Sequence, residues 1–530
     1  MLEDDLTAGA GDGALPGSSK FSDSSAANPL VPGSPSSPFS PAAASGPWAP
    51  NALPSGLSRQ ADTTLTEQLA GRFAERIRQC LLAPGARLPS VRECARRHAV
   101  SPYTVVAAYD QLLALGLVEA RKQRGFYVRG GAAEAPRSST GATGHGPDRP
   151  ARNVLPISAT SLIRGMFQPA GSHPMPGLGT LPADWLDLPM LASALRKVTS
   201  GQQLGAMSLT YGEPAGELRL RRALATSLTD HGIAASPDQI VTTIGATHAL
   251  DVVTRTLLRA GDSVLVDEPG WSVEYARLAA LGMRVLPVPR GNDGPDLAVM
   301  QRLIDAQKPH ERPRLYVTVS VLHNPTGASL SLQAAHRVLK LAQANNLHIV
   351  EDDTYAHLAP AHLPRLAALD ALERTIYISG FSKILVPNWR VGFLAAPPTL
   401  VDRLIDTKLL STLTTPGLTE QALAHCLEQG MLRRHTQRIQ LRLAAARART
   451  VKLVETHGCT FAAPPNGLFG WVDVGVDTER LGQSMIDDWL LAPGALFHAS
   501  PRPTSLMRIN FATAQDARFW AALVRARDAL

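Results

Sequence analysis

A lysine and an arginine seven residues apart, Lys383 and Arg390, are the residues of this chain with the clearest chemical potential. Lys383 leaves a β-prone run beside Ser382, and Arg390 stands just before a second such run. Free lysine titrates at ~10.4, so it becomes a good nucleophile only where desolvation or a neighbouring cation lowers its pKa. Arg390 would be such a cation, and its planar guanidinium also suits a phosphate. An imine-forming lysine beside a phosphate-binding arginine indicates pyridoxal phosphate as the cofactor.

The stretch Thr375–Pro397, TIYISGFSKILVPNWRVGFLAAP, resembles the cofactor-lysine signature of the fold-type I aminotransferases. That signature reads S-x-S-K and is followed, seven residues after the lysine, by R-x-G. The resemblance implies that Lys383 forms the imine and that Ser382 and Arg390 hold the phosphate. Gly380 departs from the signature, because the family usually has a Ser or Thr hydroxyl at that place. Taken alone, a surface lysine near an arginine at the edge of a core is the alternative.

Length, composition and cysteine usage indicate a large soluble protein. The chain has 530 residues and is 45% hydrophobic, which is too long for one ordinary domain and enough for a large core. Its four cysteines lie far apart without metal-binding or redox spacing, which favours a reducing cytoplasm. No apolar run approaches the length that spans a bilayer, and the acidic start has no apolar signal core. We therefore expect a cytoplasmic protein with no metal site and no membrane partner.

Positive charge is concentrated in one short segment, residues 59–130. The segment contains twelve Lys and Arg against six Asp and Glu, in a chain whose formal net charge is +7. A concentrated basic segment favours a polyanion such as DNA. A solvated, arginine-rich helical surface is the alternative, and charge alone does not exclude it.

Three helix-start signals follow one another in this basic segment. They are Thr64 paired with Glu67, Ser90 paired with Glu93, and Ser101 followed by Pro102. Apolar residues recur every four positions from Leu65 onward, which predicts a first helix that ends near Ala83. Two short strand-like runs, 117–120 and 126–128, enclose a basic turn. Helix, short helix, capped helix and basic hairpin together describe a winged helix-turn-helix.

The segment from Leu81 to Val128 resembles the GntR-type DNA-binding domain over nearly its full length, most specifically in RLPSVR and SPYTV. In such a domain the third helix enters the major groove with its N-terminal end first. The resemblance implies six residues that contact DNA and a wing shaped by Gly125. The six are Arg87, Ser90, Arg92, Ser101, Tyr103 and Thr104. Helix capping alone is the alternative role for Ser90 and for Ser101.

The rest of the chain divides into a tail, a linker and one long unit. Residues 1–58 have the Pro-, Ser- and Gly-rich composition of a disordered tail, and residues 131–155 that of a flexible linker. From residue 156 to residue 530, strand-like runs alternate with helical stretches, which predicts an α/β fold with a mostly parallel sheet and helices on both faces. Ligands of such folds bind at the carboxyl ends of the strands.

Small, polar and aromatic residues follow these strand-like runs, and their order resembles the fold-type I aminotransferases from about residue 175 to the end. Each has an ordinary alternative, such as a core tryptophan or a helix-capping aspartate. The resemblance implies phosphate binding by Ala246 and Thr247, ring stacking by Trp271, contacts of Asn324 and Tyr355 with the ring oxygen, and pairing of Asp352 with the ring nitrogen.

Two further residues extend the expected site. Tyr211 matches a tyrosine that in relatives reaches the phosphate of a partner subunit, so the resemblance implies a homodimer with composite sites. Arg508, in LMRINF, matches the arginine that binds the carboxylate of the substrate. A surface strand arginine is the alternative for Arg508.

Together the two halves resemble the MocR subgroup of GntR regulators. The resemblance implies a transcriptional regulator that binds double-stranded DNA and whose aminotransferase-like domain senses pyridoxal phosphate, or a small amino compound, through an aldimine at Lys383. The alternative is a working aminotransferase that transfers an amino group between an amino acid and a 2-oxo acid, with Lys383, Asp352 and Tyr355 as its catalytic residues. A regulator that senses nothing is a third option, to which Gly380 points.

Overall fold

The computed structural model describes residues 57–78, 82, 85–121, 124–129, 175–200, 204–205, 209–486 and 488–530. The tail assigned to residues 1–58 lies outside the described residues up to residue 56, and the linker assigned to residues 131–155 lies outside them entirely. Within the described part of the chain, no helix combines the length and the apolar character needed to cross a lipid bilayer.

The basic segment folds as three helices and a hairpin, and we call residues 57–129 the head. Its elements are α1 (Leu65–Arg78), α2 (Val91–His98), α3 (Pro102–Ala114), β1 (Val118–Arg121) and β2 (Gly125–Val128). The residue before each helix accepts a backbone N–H with its side-chain oxygen, as the capping signals predict. The donor is Glu67 at 3.2 Å for Thr64, Glu93 at 3.3 Å for Ser90, and Thr104 at 3.0 Å for Ser101.

The described part of the first helix reaches Arg78. The predicted helix end near Ala83 lies outside the described residues, and the N–H of the described Leu82 donates to the carbonyl of Arg76 at 3.2 Å. A bond that spans six residues cannot belong to an α-helix, so the chain has already turned away from the helix axis by Leu82.

The core of the head is formed by apolar faces of α1 and α3. The rings of Phe73 and Tyr109 meet edge to face at 5.7 Å, and the Tyr109 hydroxyl donates to the carbonyl of Pro89 at 2.9 Å. Leu57, which composition alone places in the tail, packs into this core and is only 2% exposed. The folded head therefore includes residues before Arg59.

A large sheet forms the centre of the second domain. Its strands run in the order β3-β10-β9-β8-β7-β4-β5-β6, and those from β9 to β5 are parallel, while β10 and the short β6 run antiparallel to their neighbours. The strands are β3 (Ile240–Thr243), β4 (Ser263–Glu268), β5 (Arg284–Gly291), β6 (Gly294–Pro295), β7 (Leu315–Thr318), β8 (His348–Asp352), β9 (Thr375–Gly380) and β10 (Gly392–Ala395). This confirms the predicted α/β fold with a mostly parallel sheet.

Helices cover both faces of this sheet. They are α4 (Leu188–Thr199), α5 (Leu218–Thr229), α6 (Ala246–Leu257), α7 (Ser272–Ala280), α8 (Leu297–Asp305), α9 (Leu332–Ala344), α10 (Leu366–Leu369), α11 (Pro398–Thr412) and α12 (Gly417–Glu428). Neighbouring residues of a strand point to opposite faces. Accordingly Val264 and Val266 pack in a cluster with Leu250 of α6, whereas Leu265 packs in another with Val338 of α9.

The chain ends in a smaller unit, which we call the C-terminal subdomain. It contains α13 (Met431–Thr456), β11 (Thr460–Phe461), β12 (Phe469–Asp473), α14 (Thr478–Met485), β13 (Ala492–Pro493), β14 (Leu506–Asn510) and α15 (Ala517–Asp528). Its antiparallel strands run in the order β11-β12-β14-β13. The segment before α4 joins this subdomain, because the N–H of Gly177 donates to the carbonyl of Leu490 and that of Asn510 to the carbonyl of Pro176, both at 2.9 Å.

Candidate functional site

The carboxyl ends of the parallel strands place polar residues at one edge of the large sheet. Trp271 follows β4, Asn324 follows β7, and Asp352 is the last residue of β8. Because these strands are parallel, their ends lie at the same edge. Trp271 and Asp352 line one cleft, together with the buried Asp267 of β4.

Lys383 lies on the turn after β9, beside the half-buried Ser382. Its Nζ donates to the carbonyl of Gly179 at 3.2 Å. Burial and the neighbouring charge of Arg508 lower the pKa of Lys383 from 10.5 to about 8, although the carboxylate of Asp352 opposes that change. More of the nucleophilic neutral amine is therefore present near neutral pH than in a free lysine. The alternative of an ordinary surface lysine does not describe this environment.

Asp352 presents one open carboxylate oxygen to the cleft. Its Oδ1 accepts the backbone N–H of Thr354 at 3.0 Å and also the Thr354 hydroxyl. Its Oδ2 accepts no hydrogen bond from the described residues. Burial raises the pKa of Asp352 to about 6, although the two hydrogen bonds from Thr354 oppose the change. An N–H on a pyridine ring would supply a donor to Oδ2, so the capping bond to Thr354 and a ligand contact are compatible.

Arg508 lies inside the protein, on β14, and is 5% exposed. Its Nη1 donates to Oδ1 of Asn324 at 2.9 Å and its Nη2 to the carbonyl of Gly177 at 2.6 Å, while its Nε has no acceptor among the described residues. Its guanidinium lies 4.4 and 5.1 Å from the ring centroids of Phe469 and Phe497. Burial lowers the pKa of Arg508 to about 10. This position excludes the alternative that Arg508 is a surface arginine of a strand. It suits a guanidinium that donates hydrogen bonds to the carboxylate of a ligand.

Tyr355 lies three residues beyond Asp352 and is buried against Phe469, with ring centroids 5.4 Å apart. Burial raises the pKa of its phenol above the ordinary value, while the nearby charge of Arg508 opposes the change. The described residues offer its hydroxyl no hydrogen-bond partner. Tyr355 therefore reaches the pocket as a neutral phenol that is able to donate to a ligand's oxygen.

A backbone cradle lies at the start of α6. Gly245 has a φ of +79° before the helix, and the first backbone N–H groups, those of Ala246 and Thr247, face no described acceptor. The Arg390 guanidinium lies so close that a Cβ at Gly245 would be 2.7 Å from its Nη2. A Cβ at Gly392 would likewise be 2.8 Å from the nitrogen of Ala246. Free N–H groups at a helix start beside a guanidinium form a site for a phosphate.

These groups fit the parts of pyridoxal phosphate. The helix start with its glycines suits the phosphate, the open oxygen of Asp352 suits the ring nitrogen, and the unpartnered phenol of Tyr355 suits the ring oxygen. The amine of Lys383 suits the aldehyde.

Sequence reasoning missed several members of this pocket. Gly179 and Gly177 supply carbonyls from a segment with no motif, and Phe469 and Phe497 pack on Arg508 as ordinary core aromatics of their elements. Only Gly392, in the RVGF stretch after Arg390, carried a signal, since the family signature contains a glycine there.

Tyr211 is not brought into the pocket of its own chain. It is 83% exposed, and its hydroxyl makes no hydrogen bond to the described residues. The chain beside it lies against the loop after α11, because a Cβ at the next residue, Gly212, would be 3.3 Å from the carbonyl of Thr415. The role implied for Tyr211, in the site of a partner, stays a prediction.

The head presents the N-terminal end of α3 to solvent. Tyr103 is 82% exposed, and the hydroxyls of Ser101 and Thr104 are hydrogen-bonded at 2.8 Å. Ser90 and Ser101 are both helix caps, as the alternative role holds, and both remain exposed to a ligand. Arg92 is exposed on α2.

The wing of the head is joined to the start of α2 through Arg87. Arg87 pairs with Tyr127 in an isolated bridge, and its Nε would lie 3.4 Å from a Cβ at Gly125, whose φ is +97°. Arg87 is exposed. The structure therefore places Gly125 of the wing and Arg87 side by side, both exposed.

Comparison with known proteins places both parts of the chain. Residues 182–524 match the family model described as aminotransferase class I and II, and residues 65–128 match that of bacterial regulatory proteins of the gntR family. The chain is 30% identical to the probable rhizopine catabolism regulatory protein MocR of Rhizobium meliloti, over 76% of this chain and 79% of that protein.

Two further similarities cover different extents of the chain. The uncharacterized HTH-type transcriptional regulator YisV of Bacillus subtilis is 27% identical over 87% of this chain and 95% of its own length. Among solved structures, LysN, an alpha-aminoadipate aminotransferase from Thermus thermophilus, superposes with a TM-score of 0.62 at 25% identity, over 69% of this chain and 94% of that one.

Proposed function

The chain belongs to the class I and II aminotransferase family and carries a GntR-type DNA-binding head, and from this we propose that it is a transcriptional regulator that senses a cofactor or an amino compound. The GntR-type head makes it a DNA-binding protein, and the family implies pyridoxal phosphate. We propose in addition that binding of the cofactor or of an amino compound changes how the protein binds DNA. The observation that supports the proposal is that one chain contains both a pocket whose residues fit that cofactor and a DNA-binding helix, α3, whose N-terminal end is exposed to solvent.

Each residue of the pocket has a distinct task in this proposal. The bound cofactor supplies an aldehyde that reacts with amines and a ring that withdraws electrons. Lys383 would offer the amine for this aldehyde, and its lowered pKa would favour that role. Asp352 would keep the ring nitrogen protonated through its open Oδ2. Ala246, Thr247, Ser382 and Arg390 would hold the phosphate, and Trp271 would stack on the ring.

The effector is a small amino compound with a carboxylate. Arg508 has an unpaired Nε in an apolar setting, where a charge-assisted bond to a carboxylate is strong. Asn324 and Tyr355 lie beside it and hold the ring oxygen. The similar LysN structure is of an enzyme complexed with N-(5'-phosphopyridoxyl)-L-leucine, a ligand that joins this cofactor to an amino acid.

We expect the protein to act as a homodimer. Large apolar side chains near Tyr211 are exposed, with Leu410 at the end of α11 91% exposed and Leu209 and Leu413 also open to solvent. An apolar patch of this kind marks an interaction surface. A second copy docked here would cover Tyr211, which is what its implied role at the phosphate of a partner requires.

The experiment compares the affinity of the purified protein for its operator DNA with and without pyridoxal phosphate, and then with candidate amino acids. The effector must bind the two DNA-binding geometries with different affinity, since equal binding shifts nothing. We expect a yellow protein whose DNA affinity or footprint changes with at least one condition. An affinity and a footprint that stay the same under all conditions would end the sensor proposal.

The second candidate is a working aminotransferase. Two residues favour this candidate. Amino transfer also requires an amine with a lowered pKa, which Lys383 has, and a group that binds the carboxylate of the substrate, which the unpaired Nε of Arg508 supplies. Mixing the protein with an amino acid and a 2-oxo acid separates the two candidates. Sustained multiple turnover supports the enzyme, whereas a single conversion of bound cofactor supports the regulator.

A further inference from the structure

The turn after α14 joins the head to the C-terminal subdomain. The head and this subdomain belong to one compact unit. Ile486 packs against the core of the head and also against the apolar cluster around Trp471 and Phe497 of the subdomain. One side chain is thus shared between the two cores, which makes this turn a docking surface for the head.

An acidic residue of the subdomain and two basic residues of the head interact electrostatically near this turn. Asp488 is exposed two residues after Ile486, and its charge raises the pKa of Arg72 and of Arg76 on α1 against the opposing effect of burial. Burial dominates for Arg76, whose pKa falls to about 9. The attraction between this carboxylate and the two partly buried guanidiniums is screened by water less than it would be on an open surface.

The contact between the head and the C-terminal subdomain leaves the expected DNA-binding residues exposed. Leu69 and Phe73 of α1 belong to the core of the head, while Arg72 and Arg76 on the same helix are only partly buried. Tyr103, at the start of α3, is among the most exposed apolar side chains of the described residues. The contact therefore sets the orientation of the head and does not cover the residues expected to touch DNA.

The segment that touches the head also touches the support of Arg508. The carbonyl of Leu490 accepts the N–H of Gly177 at 2.9 Å, and the carbonyl of Gly177 accepts Nη2 of Arg508 at 2.6 Å. In the sheet, Ala492 lies directly opposite Arg508. A Cβ at Gly177 would lie 2.5 Å from the carbonyl carbon of Leu491. The two backbone segments are therefore packed too closely for any side chain at this position.

We propose that Ile486 and residues 488–492 couple the carboxylate site at Arg508 to the orientation of the head. A carboxylate that binds the guanidinium competes with the carbonyl of Gly177, and a shift of Gly177 is transmitted to Leu490 and to the docking turn. Close-packed contacts of this kind change between discrete arrangements instead of deforming freely. The coupling rests on the proposed sensing function, whereas the docking surface does not.

The first test uses the full-length, cofactor-loaded protein and hydrogen–deuterium exchange of the α1 amides. Asp488→Lys replaces attraction to Arg72 and Arg76 by repulsion, and we expect exchange in α1 to rise about tenfold. The charge swap Asp488→Lys with Arg76→Glu should restore much of the protection. Asp528→Lys is the matched control, because Asp528 is an exposed acid of the same subdomain whose partner is its neighbour Arg527. Exchange in Asp488→Lys equal to that of the unmodified protein would overturn the docking surface.

The second test measures α1 exchange with and without succinate at a concentration that calorimetry shows to be saturating. Succinate carries carboxylates but no amine, so it occupies Arg508 without reacting with the cofactor. We expect α1 exchange to change in the unmodified protein and to stay unchanged in Arg508→Gln and in Asp488→Lys. A response that survives in Asp488→Lys, or none in the unmodified protein, would overturn the coupling. This readout is independent of the DNA assay with amino compounds, so failure of the sensing function and failure of the coupling are distinguishable.

Discussion

The head and the pocket use polar side chains in opposite ways. At the head, Arg92 and Tyr103 are open to solvent, where donors bind a polyanion mainly through charge that salt screens. In the pocket, Lys383 is partly buried and Arg508 is buried, and burial lowers the pKa of both. In the head, a polar residue can bind DNA because of its exposed position. In the pocket, the chemistry of a polar residue depends on the side chains that surround it.

The largest effect that tests this contrast is expected from Lys383→Ala. Without the amine, the absorbance of the lysine-bound cofactor should disappear completely. Non-specific DNA affinity should stay within about twofold, because it depends on phosphate contacts made by the head. Absorbance spectra and fluorescence anisotropy with a DNA duplex measure the two quantities.

The matched control for this variant is Lys340→Ala, since Lys340 is an exposed lysine of α9 on the same domain. It should keep both the absorbance and the DNA affinity. Loss of all DNA binding in a folded Lys383→Ala protein would show that the head does not act on its own, and the contrast between the two regions would fail.

Arg92→Ala tests the same contrast from the other side. Removing one guanidinium that is expected to contact phosphate or guanine should weaken DNA binding by ~1–3 kcal/mol, while the cofactor spectrum stays unchanged. Arg78→Ala is the control, because Arg78 is also exposed on the head but lies 4.0 Å from Glu75 at the end of α1. Equal losses in both variants would mean that overall charge, and not the position of Arg92, accounts for binding.

The same contrast explains how much the sequence predicts. Ser101 and Thr104 lie three residues apart, so a local pattern is enough to predict the cap that joins them. The alternating strands of the large sheet were predicted for the same reason. The surroundings of Arg508 were not predictable, because Asn324 and Gly177 come from 184 and 331 residues away.

The docking turn shows the same limit. Ile486 and Asp488 carry no motif, and Ile486 contacts the head only because the chain returns to it after more than 350 residues. No spacing rule connects two such segments. Sequence patterns report the chemistry within an element, and only the fold reports which elements share a surface.

The smallest effect is expected at Gly380, where the chain departs from the cofactor-lysine signature. Gly380 is the last residue of β9, and a Cβ there would lie 3.5 Å from the carbonyl of Val391 and 3.6 Å from the nitrogen of Ala246, both ordinary contact distances. Gly380→Ser should therefore fit and place a hydroxyl near the phosphate cradle. One added hydrogen bond contributes ~0.5–1.5 kcal/mol, so the dissociation constant of pyridoxal phosphate should fall by about two- to twelvefold.

Gly380→Ala separates the effect of the hydroxyl from that of the Cβ that carries it. Both variants add the same Cβ, and titration of the apoprotein by absorbance compares their affinities for pyridoxal phosphate. If serine gains affinity and alanine does not, the pocket of this chain has room for a stronger phosphate site than it uses, and weaker cofactor binding suits a protein that must exchange its ligand. Equal affinities in the two variants would show that the neighbours of Gly380, unlike those of Lys383, do not direct its side chain toward the phosphate.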